Sequence, residues 1–231
     1  MKAYFVTGTD TGVGKTHVCC ALLHRFAEEG YSTIGMKPVA AGLDAERRNE
    51  DVEALFAAST VASIVRQAQG LARTEEIRAL VNPFAFKRPI APHLAAAEES
   101  REIRFAPIQH ALNLLRKQAD IVVVEGVGGF RVPLGPEGDS ADLARALELP
   151  VIVVVGLRLG CINHALLTVE AIRARGLTIA GWVANSIDPA MLRRKENIAA
   201  LAELISAPLL GTLDFQMSPD SAQAARNLRL P

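Results

Sequence analysis

A glycine-rich segment near the N-terminus constrains the fold more than any other part of the sequence. It reads GTDTGVGKT over residues 8–16, follows an apolar run at 3–6 and precedes a run at 18–23 that can continue as a helix. A strand, a glycine-rich turn and a helix start in this order are typical of a phosphate-binding loop, because unpaired backbone N–H groups at the helix start point toward anionic oxygens. Lys15 would reach the outer phosphates, and the Thr16 hydroxyl could bind Mg²⁺.

This segment departs from the usual loop pattern at one position. The pattern is a glycine, four residues, and then Gly-Lys-Ser/Thr, which puts Thr9 at the first position and leaves the glycine one residue earlier, at Gly8. We interpret the segment as a variant phosphate loop, because the expected strand and helix flank it. The alternative is a glycine-rich turn that binds nothing.

Composition narrows the class of protein. The chain has 231 residues, of which 50% are hydrophobic, so residues 1–231 can form one domain with a substantial core. Lys plus Arg and Asp plus Glu number 25 each, which argues against a nucleic acid partner or an anionic membrane surface. The apolar runs are too short to cross a bilayer, and a strand that begins near residue 3 leaves no room for a signal peptide.

The cysteines indicate a reducing compartment. Cys19 and Cys20 are adjacent on a predicted helix, Cys161 is distant, and no Cys/His spacing resembles a zinc site. We therefore expect a cytoplasmic protein without a disulfide framework.

Apolar runs alternate with helical patterns along the rest of the chain. The predicted strands lie at 32–39, 80–83, 120–124, 151–155, 179–185 and 209–211, and the predicted helices at 51–69, around 108–115, 142–149, 163–175, 192–205 and 221–228, with an irregular loop at 84–92. This alternation predicts an α/β fold of the P-loop NTPase type. We expect a doubly wound, mostly parallel sheet of six or, more specifically, seven strands, with helices on both faces.

Three charged residues lie at element ends that such a fold brings to one rim. Lys37 follows a predicted strand and Glu125 ends another, where parallel α/β proteins place ligands. A carboxylate at the tip of a central strand can hold Mg²⁺, although it can also be only a solvated strand end, and Lys37 alone is more typical of a surface lysine. Asp51, at a predicted helix start, can be either a cap or a metal ligand.

Six segments in order resemble the dethiobiotin synthetase family. They are GTDT with GKT at 8–16, KPVA at 37–40, VNP at 81–83, EGVGG at 125–129, GCINH at 160–164 and GWVAN at 181–185. The resemblance implies carboxylation of 7,8-diaminononanoate by CO₂ with MgATP as cofactor. A carbamate would form, accept the γ-phosphoryl group and close to the ureido ring, which releases ADP and phosphate.

The resemblance also implies roles for individual residues. Lys37 and Lys15 are the candidate catalytic residues, and Thr16, Asp51 and Glu125 are the candidate magnesium ligands. The candidate nucleotide-binding residues are Gly12, Val13, Gly14, Lys15, Thr16, His17, Asp51, Glu125, Gly126, Val127, Gly128, Asn185, Ser186, Thr212, Leu213 and Asp214. The candidate substrate-binding residues are Thr11, Lys37, Ala41, Leu159, Gly160, Cys161, Ile162 and Asn163.

The same resemblance implies an oligomeric state and shows where this sequence differs from the family. The family implies a homodimer with active sites at the subunit interface, so the turn at 159–163 would receive the substrate carboxylate from the partner. Ala41 replaces a hydroxyl residue, Ile90-Ala91 replaces more polar residues, Leu213-Asp214 replaces Ile-Pro, and Arg158 replaces a lysine. The first three departures affect expected contacts to the substrate or the base, whereas Arg158 keeps its charge.

Two alternative functions share the loop. A nucleotide-switched partitioning or positioning ATPase would carry a signature lysine five residues before Lys15, where this chain has Asp10. A ligase of the cobyrinate-amidating or CTP-forming kind is usually fused to a glutaminase domain, for which 231 residues leave no space. A turnover assay with the diamine, compared with partner-stimulated ATPase activity, would separate the three.

Overall fold

The computed structural model describes the backbone of residues 1–61 and 70–231, and the side chains of 1–61 and 74–231. The strands are β1 (Lys2–Gly8), β2 (Thr33–Met36), β3 (Val39–Ala41), β4 (Phe84–Phe86), β5 (Ile121–Gly129), β6 (Pro133–Gly135), β7 (Gly138–Asp139), β8 (Val151–Leu157), β9 (Ile179–Ser186) and β10 (Leu209–Leu213). The helices are α1 (Lys15–Glu28), α2 (Glu50–Ala58), α3 (Gly70–Val81), α4 (Pro92–Glu98), α5 (Phe105–Arg116), α6 (Ser140–Leu147), α7 (Cys161–Ala174), α8 (Arg194–Leu204) and α9 (Ser221–Ala225).

The central sheet confirms the predicted fold class. Its strand order is β10-β9-β8-β1-β5-β2, and each pairing is parallel. All carboxyl ends of these strands therefore lie at one rim. Within the described residues this sheet has six strands, so the expected seventh is not part of it.

Two hydrophobic clusters cover opposite faces of the sheet. Val122 and Val124 of β5 belong to one cluster, whereas Ile121 and Val123 belong to the other. Helices α5, α6 and α7 contribute to the first cluster, and α1 contributes to the second. A strand buried on both faces reads as a continuous apolar run, which is why β5 and β8 could be predicted from the sequence.

The prediction for residues 80–92 was wrong. Leu80 and Val81 end helix α3, and the strand lies at Phe84–Phe86, inside the segment that we predicted to be an irregular loop. Pro83 explains the helix end, because the residue before a proline disfavours helical backbone. β4 pairs in parallel with β3 as a separate two-stranded sheet, which also accounts for the missing seventh strand.

The other predicted elements occur with shifted ends. The strand predicted at 32–39 is divided by Lys37 and Pro38 into β2 and β3. Of the helix predicted at 51–69, α2 ends at Ala58, and residues 62–69 lie outside the described part of the chain. Within the described residues, none of the helices combines the length and apolar content needed to cross a membrane.

Candidate active site

The glycine-rich segment forms a tight turn between β1 and α1. Gly12 and Gly14 have φ values of 74° and 83°, a backbone conformation that favours glycine. Helix α1 starts at Lys15, and no side chain in the described residues caps it. Its first N–H groups are therefore oriented toward the rim, as an anion site at a helix start requires.

Lys15 lies folded over this turn. Its side chain is buried, and Nζ donates a hydrogen bond of 3.1 Å to the carbonyl oxygen of Asp10. Burial and the nearby Lys37 ammonium lower the pKa of Lys15. Lys15 thus places a positive charge at the loop, which favours an anionic ligand there.

The register of neighbouring strands brings Lys37 and Glu125 together. Met36 of β2 pairs with Val124 of β5, so the next residue on each strand reaches the rim at the same level. Nζ of Lys37 donates to Oε1 of Glu125 at 2.5 Å and to Oδ2 of Asp51 at 2.8 Å. Lys37 is 4% exposed and Glu125 is 1% exposed, so this lysine does not point into bulk solvent.

Backbone contacts fix Lys37 in this place. Its N–H donates to the Val81 carbonyl at 2.9 Å, and the Asn82 side chain donates to its carbonyl oxygen at 2.6 Å. The segment at 81–83, which we predicted to be a strand, thus anchors Lys37 from the end of helix α3. This role of Asn82 was missed, because sequence alone does not show which backbone group its amide meets.

Asp51 faces the loop and does not cap its helix. The N-cap of α2 is Asn49, whose side chain accepts from the N–H of Val52 at 3.3 Å and donates to the Gly42 carbonyl at 2.9 Å. Asp51 is left free to accept a hydrogen bond from the Thr16 hydroxyl at 2.7 Å. The geometry therefore favours the interpretation of Asp51 as a metal ligand over its interpretation as a helix cap.

Burial and charge act in opposite directions on the pKa values of this cluster. Burial acts to lower the pKa of Lys37, but the carboxylates of Glu125 and Asp51 outweigh it and raise that pKa above its usual value. Burial raises the pKa of Glu125, and Lys37 offsets part of that rise. Burial also acts upward on the pKa of Asp51, yet Lys37 and Thr16 leave it below its usual value. One ammonium thus interacts with two acids and offsets part of their charge.

The acidic side of the cluster fits a hard divalent cation. The Thr16 hydroxyl lies 2.7 Å from Oδ1 of Asp51 and 3.0 Å from Oε1 of Glu125, so three oxygen-bearing side chains meet at one point. Oε2 of Glu125 is buried and has no hydrogen-bond partner among the described residues. Mg²⁺ prefers oxygen ligands and keeps several waters, which suits this small donor set.

A cleft of about 700 Å³ opens above these residues. Its polar wall holds Lys15, Thr16, Lys37, Asp51 and Glu125, and Thr11, Gly12, Gly14, Ala41 and Gly128 also line it. The opposite wall is mostly apolar and consists of Pro89, Ile90, Ala91, Pro92, Val127 and Val132. The volume lies in the range typical of small-molecule sites, so a phosphate group and a short aliphatic chain can be accommodated together.

A second cleft of about 260 Å³ lies on the other side of the loop. Gly12 and Gly14 line both clefts, and the remaining walls come from His17, Asn185, Ser186, Ile187, Asp214, Phe215, Gln216 and Pro219. We call it the base cleft, because the family resemblance predicts that Asn185 and Asp214 lie beside the nucleotide base. Sequence analysis found four of these eight wall residues. It missed Ile187, which follows β9, and Phe215, Gln216 and Pro219, which follow the last strand, because loop residues carry no periodic signal.

Tertiary hydrogen bonds hold the walls of the base cleft. Arg194 donates to the Ser186 hydroxyl at 2.9 Å and pairs with Asp214 at 2.9 Å, which joins the ends of β9 and β10. The Gln216 side chain donates to Gln223 at 3.1 Å and accepts from the backbone N–H of Asp220 at 3.0 Å. The loop after β10 is therefore tied back onto α9.

Three predicted nucleotide-binding residues offer no side chain to either cleft. Val13 and Leu213 are buried in the hydrophobic core, and Gly126 has no side chain; a Cβ there would lie 3.1 Å from the Phe5 ring. Only their backbone groups remain available to a ligand. Thr212 lies within β10 and does not line the base cleft.

The predicted substrate turn lies outside the cleft of its own chain. Leu159 is 95% exposed, whereas Cys161 is buried as the first residue of α7. Gly160 has a φ of 92° at the N-cap, and neither it nor Asn163 lines the cleft above Lys37. Arg158, just before this turn, forms an ion pair with the Asp10 carboxylate of the phosphate loop.

Comparison with known sequences identifies proteins related to this chain. A family model described as an AAA domain matches residues 2–223. The protein of Aromatoleum aromaticum named ATP-dependent dethiobiotin synthetase BioD is 58% identical over 233 residues, which cover 100% of this chain and 98% of that protein. The protein of the same name from Nitrosospira multiformis is 52% identical over 220 residues, covering 95% of this chain and 91% of that protein.

Structural comparison supports the fold alone. The MinD cell division protein of Aquifex aeolicus has a TM-score of 0.57 and 12% identity, with 98% of this chain and 94% of that chain covered. Such low identity carries no information on activity, so the partitioning alternative gains nothing from this likeness.

Proposed function

Since the chain belongs to the dethiobiotin synthetase family, whose members are ATP-dependent ligases, we propose that it carboxylates 7,8-diaminononanoate with CO₂ and closes the product to dethiobiotin. ATP is the energy source and is released as ADP and phosphate. Residues 1–231 would act as one ATP-dependent carboxylase domain. The observation that carries the proposal is the buried Lys37 ammonium between Asp51 and Glu125, directly beside the phosphate loop.

The proposed reaction has three steps. An amine nitrogen of the substrate attacks CO₂ and gives a carbamate, and a carbamate oxygen then attacks the γ-phosphorus of ATP and displaces ADP. The second amine attacks the carbonyl carbon of the resulting mixed anhydride and expels phosphate, which closes the five-membered ring. Each step develops negative charge on oxygen, so preorganised cations are the main catalytic requirement.

The two lysines can meet this requirement from opposite sides. Lys15, at the start of α1, would contact the outer phosphates together with the backbone N–H groups of the loop. Lys37, whose raised pKa keeps it protonated, would steady the carbamate and the phosphoryl group in transfer. Phosphoryl transfer depends on positioning and charge, and both are supplied here by residues on rigid elements.

Thr16, Asp51 and Glu125 would hold the magnesium ion, since they form the oxygen donor set of the rim. When bound, the ion would neutralise charge on the phosphates and help to fix their orientation. The apolar wall at Pro89–Pro92, Val127 and Val132 would pack against the aliphatic chain of the diamine. Ala41 offers no hydroxyl there, so Lys37 would carry more of the polar recognition.

We also propose a homodimer that completes each site. Leu159 and Leu167 expose large apolar side chains on the turn after β8 and on α7, where a second copy could cover them. The turn at 159–163 would then meet the carboxylate of the partner's substrate. Leu167→Glu should shift the protein toward monomer in sedimentation velocity, whereas a profile identical to wild type would contradict this surface.

The deciding experiment measures product formation. The purified protein with MgATP, diamine and bicarbonate should form ADP and dethiobiotin in equal amounts, and omission of the diamine should abolish ADP formation. A protein that binds ATP but forms no dethiobiotin would refute the proposal. ATP hydrolysis that needs a protein partner and no diamine would instead support a positioning ATPase.

A further inference from the structure

The Asn185 side chain contacts the phosphate loop directly. Its Nδ2 donates a hydrogen bond of 2.8 Å to the carbonyl oxygen of Val13, across 172 positions of sequence. Asn185 is 7% exposed, so this bond is protected from water. Breaking a buried hydrogen bond of this kind leaves a carbonyl without a partner and is therefore unfavourable.

The next residue of the loop packs against the same amide. A Cβ placed on Gly14 would lie only 2.2 Å from Nδ2 of Asn185, closer than any real contact. The φ of 83° at Gly14 further restricts this position to glycine. The path of the loop backbone through Val13 and Gly14 is thus shaped against the Asn185 side chain.

The same side chain also lines the base cleft. Asn185 belongs to its walls together with Gly12 and Gly14, so one amide lies between the two clefts. Its neighbour Ser186 lines the base cleft as well, but the Ser186 hydroxyl accepts from Arg194. Among the hydrogen bonds of the described residues, the Asn185 side chain therefore contacts the phosphate loop and the Ser186 side chain does not.

We propose that Asn185 is a positioning residue that fixes the backbone of the phosphate loop and thereby links the base cleft to the placement of the triphosphate. This inference rests on the proposed function, which puts the triphosphate in the loop. Asn185 acts on the reacting phosphate through Val13 and Gly14. The affinity for a ligand that has phosphates but no base should therefore still depend on Asn185.

The test uses inorganic tripolyphosphate, which carries the phosphates and no base. Binding is measured by calorimetry with magnesium for wild type, Asn185→Asp and the control Asn113→Asp, which makes the same change at an exposed position of α5 outside both clefts. Asn185→Asp keeps the side-chain shape but replaces the donor by an oxygen that faces the Val13 carbonyl. We expect its Kd for tripolyphosphate to rise about tenfold, and that of Asn113→Asp to stay within about twofold of wild type.

Kinetics provides a second readout. Asn185→Asp should raise KM for ATP and also lower kcat, because a displaced loop misplaces the γ-phosphate in the transition state. A residue that contacts only the base would raise KM alone. An unchanged tripolyphosphate Kd in Asn185→Asp, with weakened ATP binding, would overturn the inference.

Two controls keep the outcomes distinct. If circular dichroism shows that Asn185→Asp does not fold, Asn185→Ser takes its place. Serine is too short to reach the Val13 carbonyl and introduces no charge. A higher Kd of Asn185→Ser for tripolyphosphate would support the inference, and an unchanged Kd would overturn it. If wild type binds neither tripolyphosphate nor MgATP, the placement of the triphosphate and the proposed function are wrong; if it binds MgATP but not tripolyphosphate, the inference on Asn185 is overturned. Wild-type binding with an insensitive variant refutes only the role of Asn185.

Discussion

The two clefts on either side of the phosphate loop are built in different ways. The cleft above Lys37 takes its charged wall from the ends of β2 and β5 and from the starts of α1 and α2. The base cleft takes four of its ten lining residues from the segment after the last strand, namely Asp214, Phe215, Gln216 and Pro219. The first holds two ammoniums and two carboxylates, whereas the second holds one ion pair at its margin.

This difference separates two kinds of function. Groups that meet developing charge need fixed positions, and strand and helix ends supply them. Groups that recognise a base can lie on a loop whose contacts are fewer and more exposed. We therefore expect changes in the first cleft to affect kcat, and changes in the base cleft to affect KM for ATP except at Asn185, whose hydrogen bond reaches the phosphate loop.

The largest effect should come from Lys37→Met. Loss of the ammonium should lower kcat about 10²–10³-fold, the range for removing one preorganised donor, while the Kd for ATP changes less than about threefold. Steady-state kinetics and calorimetry measure the two quantities. The exposed Lys117→Met serves as a matched control. Equal losses in kcat and ATP affinity would place Lys37 in nucleotide binding and would blur the contrast between the clefts.

A smaller effect should follow from Glu125→Gln. The change removes one negative oxygen donor but keeps the side-chain volume, so the magnesium concentration for half-maximal rate should rise about tenfold. A magnesium titration at saturating ATP measures it, with the exposed Glu203→Gln as control. An unchanged requirement would remove Glu125 from the donor set.

The base cleft should respond weakly to Asp214→Ala. The Asp214 side chain is 76% exposed and its ion pair with Arg194 is screened by solvent, so KM for ATP should rise no more than about threefold. The value of kcat should not change. A large drop in kcat on this variant would show that the two clefts are not functionally separate.

The smallest effect concerns His17 and pH. Burial lowers the pKa of His17 below its usual value, although Asp220 opposes the shift. The unfolded chain therefore binds this proton more readily than the folded chain, and the free energy of unfolding falls as pH drops below about 6.5. His17→Gln should flatten that decline in melting temperatures measured between about pH 7.5 and 5.5. An unchanged dependence of the melting temperature on pH in His17→Gln would show that His17 does not cause the decline.

The same contrast explains what the sequence could predict. Lys37 and Glu125 were placed at one rim because the carboxyl ends of parallel strands must meet there, whatever the details of packing. Asp51 stayed ambiguous because only the structure shows that Asn49 caps α2 and leaves the aspartate free. The sequence pattern was sufficient to place a residue where the order of parallel strands alone determines its position.

Elsewhere the outcome depended on long-range contacts. Leu80 and Val81 looked like a strand, but they end a helix whose last turn packs near β2. Gln216 was missed, since its place depends on hydrogen bonds with Gln223 and Asp220 that no sequence period encodes. The role of Asn185 toward Val13 was missed for the same reason.

The salt link of Lys37 to both acids has a practical consequence for handling this protein. An internal ammonium already lies between the carboxylates of Asp51 and Glu125 and offsets part of their mutual repulsion, so this rim should keep its shape without an external ion. Treatment with a chelator should therefore leave the melting temperature of the protein close to its starting value, unlike that of domains whose architecture collapses once their ion is withdrawn.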